Sequence, residues 1–293
     1  EITITAGATQ AIFTAISAFV KEEDEVIIFT PAYDCYEPTI ELNGGRPVFV
    51  QLKSPDFKIN WEEVKKLISQ RTKMIIINTP HNPTGTILEE NDLKELEKIT
   101  QDSDIIILSD EVYEHIIFDQ KKHQSICKYP ALADRSIAVF SFGKTFHVTG
   151  WKMGYCIGPE NLMHEFRKVH QFNVFSCNHP FQLALAEYLE NEEHFLKLGE
   201  FYQQKRDYFT EIIKASRLSI VPSFGTYFQL LNFSKISEES DVSMAKKLIK
   251  EYKLASIPIS VFYNSTLDEK NLRFCFAKRQ ETLDEAAEIL IKI

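Results

Sequence analysis

The chain has 293 residues, 44% of them hydrophobic and 26% charged, with a formal net charge of −9 at pH 7. This length and composition predict a globular protein with more than one hydrophobic core. Because Lys and Arg do not gather in any one segment, we expect neither nucleic acid nor an anionic membrane as a partner. A small anionic ligand would instead need a local cationic pocket.

The five cysteines are scattered along the chain, odd in number and without a C-x-x-C pair. This pattern predicts neither a disulfide framework nor a zinc site. We expect most of them to be small core residues in a reducing cytoplasm. No apolar run reaches the length of a membrane span.

The first part of the chain alternates apolar strand patterns with amphipathic helix patterns. Strands are predicted up to residue 5 and at 26–29, 48–52, 74–77, 105–108, 137–140 and 155–157. Helices are predicted at 9–20, 35–42, 61–69 and 89–99. Alternation of this kind predicts a largely parallel sheet with helices on both faces.

The pattern changes after about Tyr188. A long amphipathic helix at 194–215 is followed by a strand at 226–231, a helix at 242–252, a strand at 272–276 and a helix at 282–293. This order is typical of a compact α+β unit. We therefore predict an α/β fold with a large domain at 1–188 and a small C-terminal domain at 189–293.

The segment SFGKTFHVTGWKMG, residues 141–154, follows the strand predicted at 137–140. It places Lys144 in a tight turn at the mouth of an apolar core, where a lysine is paired, desolvated or used covalently as an amine. Lys152 follows between Gly150 and Gly154. Two glycines around a cation allow the backbone to approach a bulky anion such as a phosphate.

Polar residues gather after the predicted strands, and ligands of open α/β sheets bind beyond the carboxyl ends of the strands. These residues are Gly7, Ala8, Thr9, Tyr33, Asn82, Asp110, Ser141 and Lys144. Gly7 to Thr9 begin a helix, where free N–H groups and the helix dipole favour an anion, although the same residues also suit a plain helix start. Together with Ser141 and Lys152 they predict a phosphate site.

Four segments of the chain resemble one enzyme family. They are TPHNPTG at 79–85, SDEVYEH at 109–115, SFGKTFHVTGWK at 141–152 and LRFCFAK at 272–278. They are similar to motifs of the class I/II aminotransferases, which are pyridoxal 5′-phosphate (PLP) enzymes of fold type I, and most of all to the methionine and kynurenine/glutamine aminotransferase branch. The resemblance extends over nearly the whole chain. It implies the fold type I architecture and PLP as cofactor.

The resemblance implies roles in PLP chemistry for three residues. Lys144 would hold PLP as a Schiff base and later move a proton. Asp110 would keep the pyridine nitrogen protonated so that the ring accepts electrons, although an Asp in that place can also be a turn or helix cap. Tyr113 would donate a hydrogen bond to the 3-oxygen of the ring.

The resemblance also places three further residues around the cofactor. Asn82 would donate to the same 3-oxygen and lie near the substrate, although the turn chemistry of Asn-Pro explains the segment without a ligand. Tyr33 would stack on the pyridine ring, although an aromatic residue after a strand is more often part of a core. Lys152 stands where the family's most familiar signature has arginine, so phosphate binding would depend more on backbone amides. We expect His81 to be a solvated loop residue outside the site.

Two residues are candidates for substrate binding. Arg273 lies on a predicted strand, and its planar guanidinium matches the α-carboxylate of an amino acid, although an internal ion pair would also explain it and Arg279 is a second candidate. By resemblance, Phe175 would reach the substrate pocket of a neighbouring subunit in a homodimer with shared active sites.

The expected substrates are an L-amino acid and a 2-oxo acid. No second cation matches a dicarboxylate side chain, so methionine and aromatic amino acids are the expected donors, with glutamine and kynurenine as further candidates. The chain opens with the strand pattern EITITAG and no preceding cap. Because family members carry an N-terminal arm before this point, we expect such an arm to be missing from the sequence.

Other functions stay open at this point. A PLP-dependent β-lyase that cleaves a C–S bond would use the same Lys144, Asp110 and Arg273, since only the fate of the carbanion differs. A non-catalytic PLP-binding regulatory domain is a second alternative, although neither a helix-turn-helix nor a basic patch is present. A nucleotide-binding Rossmann protein is disfavoured because neither G-x-G-x-x-G nor a P-loop follows any predicted strand.

Overall fold

The computed structural model describes residues 1–293. Its strands are β1 (Ile2–Thr5), β2 (Glu25–Thr30), β3 (Arg46–Gln51), β4 (Thr72–Asn78), β5 (Ile106–Asp110), β6 (Ser136–Ser141), β7 (Gly154–Ile157), β8 (Ser219–Ile220), β9 (Phe228–Asn232), β10 (Ile257–Pro258) and β11 (Asn271–Cys275). Its helices are α1 (Ala8–Phe19), α2 (Tyr36–Leu42), α3 (Trp61–Leu67), α4 (Glu90–Thr100), α5 (Pro130–Ala133), α6 (Phe142–Thr145), α7 (Glu160–Asn173), α8 (His179–Leu189), α9 (Glu193–Leu196), α10 (Leu198–Ile212), α11 (Asp241–Tyr252) and α12 (Gln280–Lys292).

The first seven strands form one sheet in the order β1-β7-β6-β5-β4-β2-β3. Neighbouring strands from β3 to β6 are parallel, whereas β7 is antiparallel to both β6 and β1. Strands β1 to β6 therefore all point the same way, and their carboxyl ends share one edge of the sheet. This confirms the predicted α/β class with a mostly parallel sheet.

Both faces of this sheet are covered by apolar side chains. One core packs α1, α2 and α7 against residues such as Ile28, Ile76 and Val139. The other core packs α3 and α4 against residues of the opposite face, such as Ile75 and Ile107. Near-continuous apolar strands are what a sheet buried on both faces requires.

The smaller sheet has the order β10-β11-β9-β8, and all of its pairs are antiparallel. A third core lies between this sheet and α10 to α12, and it includes Tyr113, Ile116 and Phe118 from the segment after β5. Leu230 and Ile259 of the C-terminal part contribute to the core under the large sheet. The two parts are thus interlocked, and a domain boundary at residue 188 stays a prediction.

The helix predicted at 194–215 is divided in the structure. Helix α9 ends at Leu196, and α10 begins at Leu198. At Gly199 a Cβ atom would lie 2.9 Å from Ile117 O, so the first turn of α10 is placed by contact with another segment. The strand predicted from 226 begins at Phe228 because Thr226 has a φ of 67°. No helix combines the length and apolar composition needed to cross a membrane.

Candidate active site

The carboxyl ends of β4, β5 and β6 form the floor of a pocket of about 130 Å³. Asn78 and Asp110 are paired residues at the ends of β4 and β5, and Ser141 ends β6. Ten residues that the sequence predicts for cofactor binding line this pocket: Gly7, Ala8, Thr9, Tyr33, Asn82, Asp110, Tyr113, Ser141, Lys144 and Lys152. Parallel strands bring together residues that are far apart in the sequence, as expected for an open α/β sheet.

Lys144 lies in the single turn of α6. The turn begins at Ser141, whose Oγ accepts a hydrogen bond from the Lys144 backbone N–H at 3.3 Å. Lys144 Nζ donates to Tyr227 Oη at 3.0 Å and lies over the rings of Tyr113 and Tyr227. No Asp or Glu oxygen lies within 4.0 Å of Nζ. The amine is therefore not used in an ion pair.

Asp110 is buried at the end of β5. Its Oδ2 accepts a hydrogen bond from Tyr36 Oη at 2.6 Å, and its Oδ1 accepts one from the Val112 N–H at 3.3 Å. The pKa of the carboxyl group is raised to about 6, chiefly by burial and to a smaller extent by Glu111, while the two hydrogen bonds and the charge of Lys144 oppose the rise. A cation in the pocket would stabilise the ionised form of this carboxylate.

The N-terminus of α1 points its free backbone N–H groups at the pocket. Gly7 is the N-cap residue of this twelve-residue helix and has a φ of 82°, and no side chain caps the helix N-terminus. A Cβ atom at Gly7 would lie 3.6 Å from Lys152 Cε, so the Lys152 side chain runs beside the helix end. Lys152 forms no ion pair, and Gly154 lets β7 approach this end, since its Cβ atom would lie 3.1 Å from Ala8 N.

Arg273 and Asn82 meet at one side of the pocket. Arg273 Nη1 donates a hydrogen bond to Asn82 Oδ1, and the guanidinium carbon lies 4.1 Å from the ring centroid of Phe228 and 5.1 Å from that of Phe262. Burial lowers the pKa of Arg273. The alternative of an internal ion pair is not observed, because no Asp or Glu oxygen lies within 4.0 Å of this guanidinium.

The predicted aromatic residues differ in their environments. Tyr33 is half-buried and shares a hydrogen bond with Thr9 Oγ1 at 3.1 Å. Tyr113 is buried, and burial raises its pKa well above the ordinary value. Phe175 lies outside the pocket with 80% of its surface exposed, so its predicted contact with a second subunit stays a prediction.

Three residues that the sequence reasoning missed contact the predicted ones. Asn78 donates to Asp110 O at 2.9 Å and accepts from the Asn82 N–H at 2.8 Å. An Asn at the end of the apolar run 74–77 is the same signal that identified Asp110, so it could have been found. Tyr36 and Tyr227 carry no comparable signal, because their contacts depend on how α2 and the smaller sheet pack.

The expectation that His81 is a solvated loop residue is wrong. Its side chain is buried, and Nδ1 shares a hydrogen bond with Thr84 Oγ1 at 2.6 Å. Burial lowers its pKa to about 4, so the ring is neutral at pH 7. It lines a second cavity of about 210 Å³ that contains none of the predicted site residues.

Comparison with known proteins identifies the family. Residues 1–290 match the family model described as aminotransferase class I and II. The chain is 47% identical over 291 residues to the methionine aminotransferase of Escherichia coli K12, with 99% of this chain and 75% of that protein covered. It is 35% identical over 320 residues to the Homo sapiens kynurenine–oxoglutarate transaminase 3, with 99% of this chain and 70% of that protein covered.

The solved structures agree. E. coli YbdL, identified as a methionine aminotransferase, superposes with a TM-score of 0.98 at 46% identity, covering 100% of this chain and 78% of that one. The chain thus belongs to the class I and II aminotransferases. It is a PLP-dependent aminotransferase of fold type I.

The pocket fits the chemistry of PLP at three points. A phosphate dianion suits the free N–H groups at the start of α1 with Lys152 beside them. An aldehyde requires an amine, and Lys144 Nζ has no acidic partner. A protonated pyridine nitrogen suits the Asp110 carboxyl group, which is buried and forms no ion pair within 4.0 Å.

Proposed function

We propose that this chain transfers the amino group of L-methionine or an aromatic L-amino acid to a 2-oxo acid, with glutamine and kynurenine as further candidate donors. The observation that carries the proposal is the convergence of Lys144, Asp110 and Lys152 in one pocket with Arg273 and Asn82 at its side. When bound, PLP supplies an aldehyde that captures the amino group and a ring that accepts electrons from the Cα–H bond.

The residues of this pocket divide the work of binding and proton transfer. The N–H groups of Ala8 and Thr9, with Lys152 and Ser141, bind the phosphate. Asp110 would keep the pyridine nitrogen protonated, and the Tyr36 hydroxyl fixes the orientation of its carboxylate. Asn82 and Tyr113 would donate to the 3-oxygen, and the Tyr33 ring would lie against the pyridine.

Lys144 has two tasks in this proposal. Its amine would hold the cofactor through the aldehyde, and as a free amine Nζ would accept and return the proton of the substrate Cα. An amine with no acidic partner is suited to both, because it is not held in a fixed ion pair.

Arg273 binds the α-carboxylate of the substrate. Its guanidinium lies over the rings of Phe228 and Phe262, and its Nη1 donates to Asn82 Oδ1. A planar fork in a partly desolvated place favours a bidentate carboxylate.

The choice of donor rests on the pocket and on the relatives. The pocket offers no further free cation for a side-chain carboxylate, and Tyr33 provides an aromatic wall. The relatives include proteins named for methionine and for kynurenine. A neutral side chain of medium size is therefore the best match.

We also propose a cytoplasmic homodimer. Three large apolar side chains are exposed in and between α7 and α8: Phe172 by 86%, Phe175 by 80% and Leu183 by 59%. A second copy of the chain would cover this apolar group. In that arrangement Phe175 would face the substrate pocket of the neighbouring subunit. The five free cysteines suit a reducing compartment.

The test is a substrate panel with product analysis. PLP-loaded protein is incubated with L-methionine, L-phenylalanine, L-kynurenine, L-glutamine, L-aspartate or L-cystathionine and a 2-oxo acid acceptor. We expect 2-oxo acid formation with kcat/KM at least about 100-fold higher for methionine or phenylalanine than for aspartate. Release of pyruvate and ammonia from cystathionine as the dominant reaction would instead establish the β-lyase.

A further inference from the structure

Tyr227 makes the only side-chain hydrogen bond of Lys144. Its Oη atom lies 3.0 Å from Lys144 Nζ. The amine also lies 5.6 Å from the ring centroid of Tyr227 and 5.7 Å from that of Tyr113, and these two rings pack edge to face. Because no acidic side chain is in reach, the Tyr227 hydroxyl is the polar group that directs the amine.

The backbone before Tyr227 is hydrogen-bonded to the loops that follow β4 and β5. The Gly225 N–H donates to Gly85 O at 3.0 Å, and the Thr226 N–H donates to Ile116 O at 3.1 Å. Gly85 belongs to the loop that carries Asn82. These two bonds fix the position of Tyr227 relative to the pocket, although Tyr227 directly precedes a strand of the smaller sheet.

We propose that Tyr227 is a positioning residue for the Lys144 amine, an inference that rests on the function proposed above. A phenol hydroxyl accepts a hydrogen bond from an ammonium and donates one to a neutral amine, so it can hold Nζ in both protonation states. The bond from the charged donor is the stronger one. Tyr227 thus keeps Nζ pointing into the pocket.

The first measurement uses the protein without PLP. Competitive acetylation with acetic anhydride between pH 6 and 11, followed by mass spectrometry of the Lys144 peptide, gives the acetylation rate of this amine at each pH. Tyr227→Phe is expected to raise this rate by about threefold or more, because the amine loses its only side-chain hydrogen-bond partner. Tyr202→Phe is the matched control, because its ring packs against Tyr227 at 5.8 Å while its hydroxyl bonds His147. Coinciding Tyr227→Phe and wild-type curves would overturn the proposal, as would an equal shift in both variants.

The second measurement uses the PLP-loaded protein. We expect Tyr227→Phe to lower kcat by about 10-fold or more with a KM for the amino acid changed by less than about threefold, since the hydroxyl contacts the lysine and not the substrate. A change confined to KM contradicts a positioning role. If the wild-type protein shows no amino transfer, the proposed function fails, but the acetylation curves still decide whether Tyr227 controls Lys144.

Discussion

Asp110 shows how burial and hydrogen bonding set the state of a single carboxyl group. Burial raises its pKa to about 6, while Tyr36 and the Val112 N–H stabilise its ionised form. A protonated pyridine nitrogen beside it would supply the missing positive charge. The surroundings of this carboxylate are thus suited to a cationic ligand.

The substitution Asp110→Asn tests this arrangement. Asn cannot hold the proton on the pyridine nitrogen, so we expect the single-turnover rate with L-methionine to fall by about 100-fold or more. PLP should still bind, because Lys144 and the N-terminus of α1 are unchanged. Stopped-flow absorbance measures the rate, and the exposed Asp102→Asn is the control. A rate within about threefold of wild type would refute the role of Asp110.

Glu114 gives a prediction on stability. Its carboxyl group bonds Tyr155 Oη at 3.2 Å, and burial and the nearby Glu111 raise its pKa to about 8. Between pH 4.5 and 8 the folded state binds more protons at this site than the unfolded state, so stability falls as pH rises through that window. His115, also near this carboxyl group, has a pKa lowered to about 4 by burial.

Glu114→Gln removes the ionisation and keeps an acceptor for Tyr155. We expect the variant to be more stable than wild type by up to about 5 kcal/mol at pH 9 and by less than about 1 kcal/mol at pH 5, with the gap opening between. Urea or thermal unfolding at several pH values measures this. A constant difference across the whole pH range would show that Glu114 does not titrate in this window.

At the scale of elements, the turn before β9 connects the two sheets. A Cβ atom at Gly225 would lie 2.6 Å from Pro80 Cβ and 2.9 Å from Ile116 O, and neither the proline ring nor the backbone can move aside easily. Gly225→Ala should therefore destabilise the protein by about 2 kcal/mol. Gly150→Ala is the control, since nothing lies within 4 Å of its added Cβ. Equal unfolding midpoints for the two variants would contradict this account of the turn.

Most elements could be predicted from periodicity, with ends that differ by one to three residues. The elements that differ more are determined by contacts between segments that are distant in the sequence. The break between α9 and α10 depends on the packing of Gly199 against Ile117. Helices α7 and α8 are not among the predicted elements, although Leu162, Phe166 and His170 are spaced for one face of α7.

At the scale of the whole molecule, strand order and the interlocked cores could not be predicted. Pairing of β1 with β7 joins residues more than 150 positions apart, as in Ile2 with Ile157. Eight of the ten predicted residues that line the pocket follow from the convergence of strand ends, which does not depend on strand order. Tyr113 was identified by the family resemblance and Lys152 by its flanking glycines. Tyr227 escaped prediction because it reaches Lys144 only through the docking of the smaller sheet.

Subunit association is the prediction at this scale. We expect light scattering to give a mass of about 68 kDa, twice the 33.9 kDa of the chain, because a dimer would cover the exposed apolar group around Phe172 and Phe175. Replacing both with Glu should give the monomer mass with an unchanged circular dichroism spectrum, while Leu42→Glu, remote in sequence, should leave the dimer intact. A wild-type monomer at micromolar concentration would contradict the proposal.

The central claim is that Lys144 carries out amino transfer from methionine in this pocket. The most direct measurement mixes PLP-loaded protein with L-methionine without an acceptor acid, while the visible absorbance of bound PLP and the 2-oxo acid are followed together. We predict loss of the PLP band and about one 2-oxo acid per bound PLP for the wild type, and neither for Lys144→Ala. Equal 2-oxo acid from both proteins, or none from the wild type, would contradict the claim.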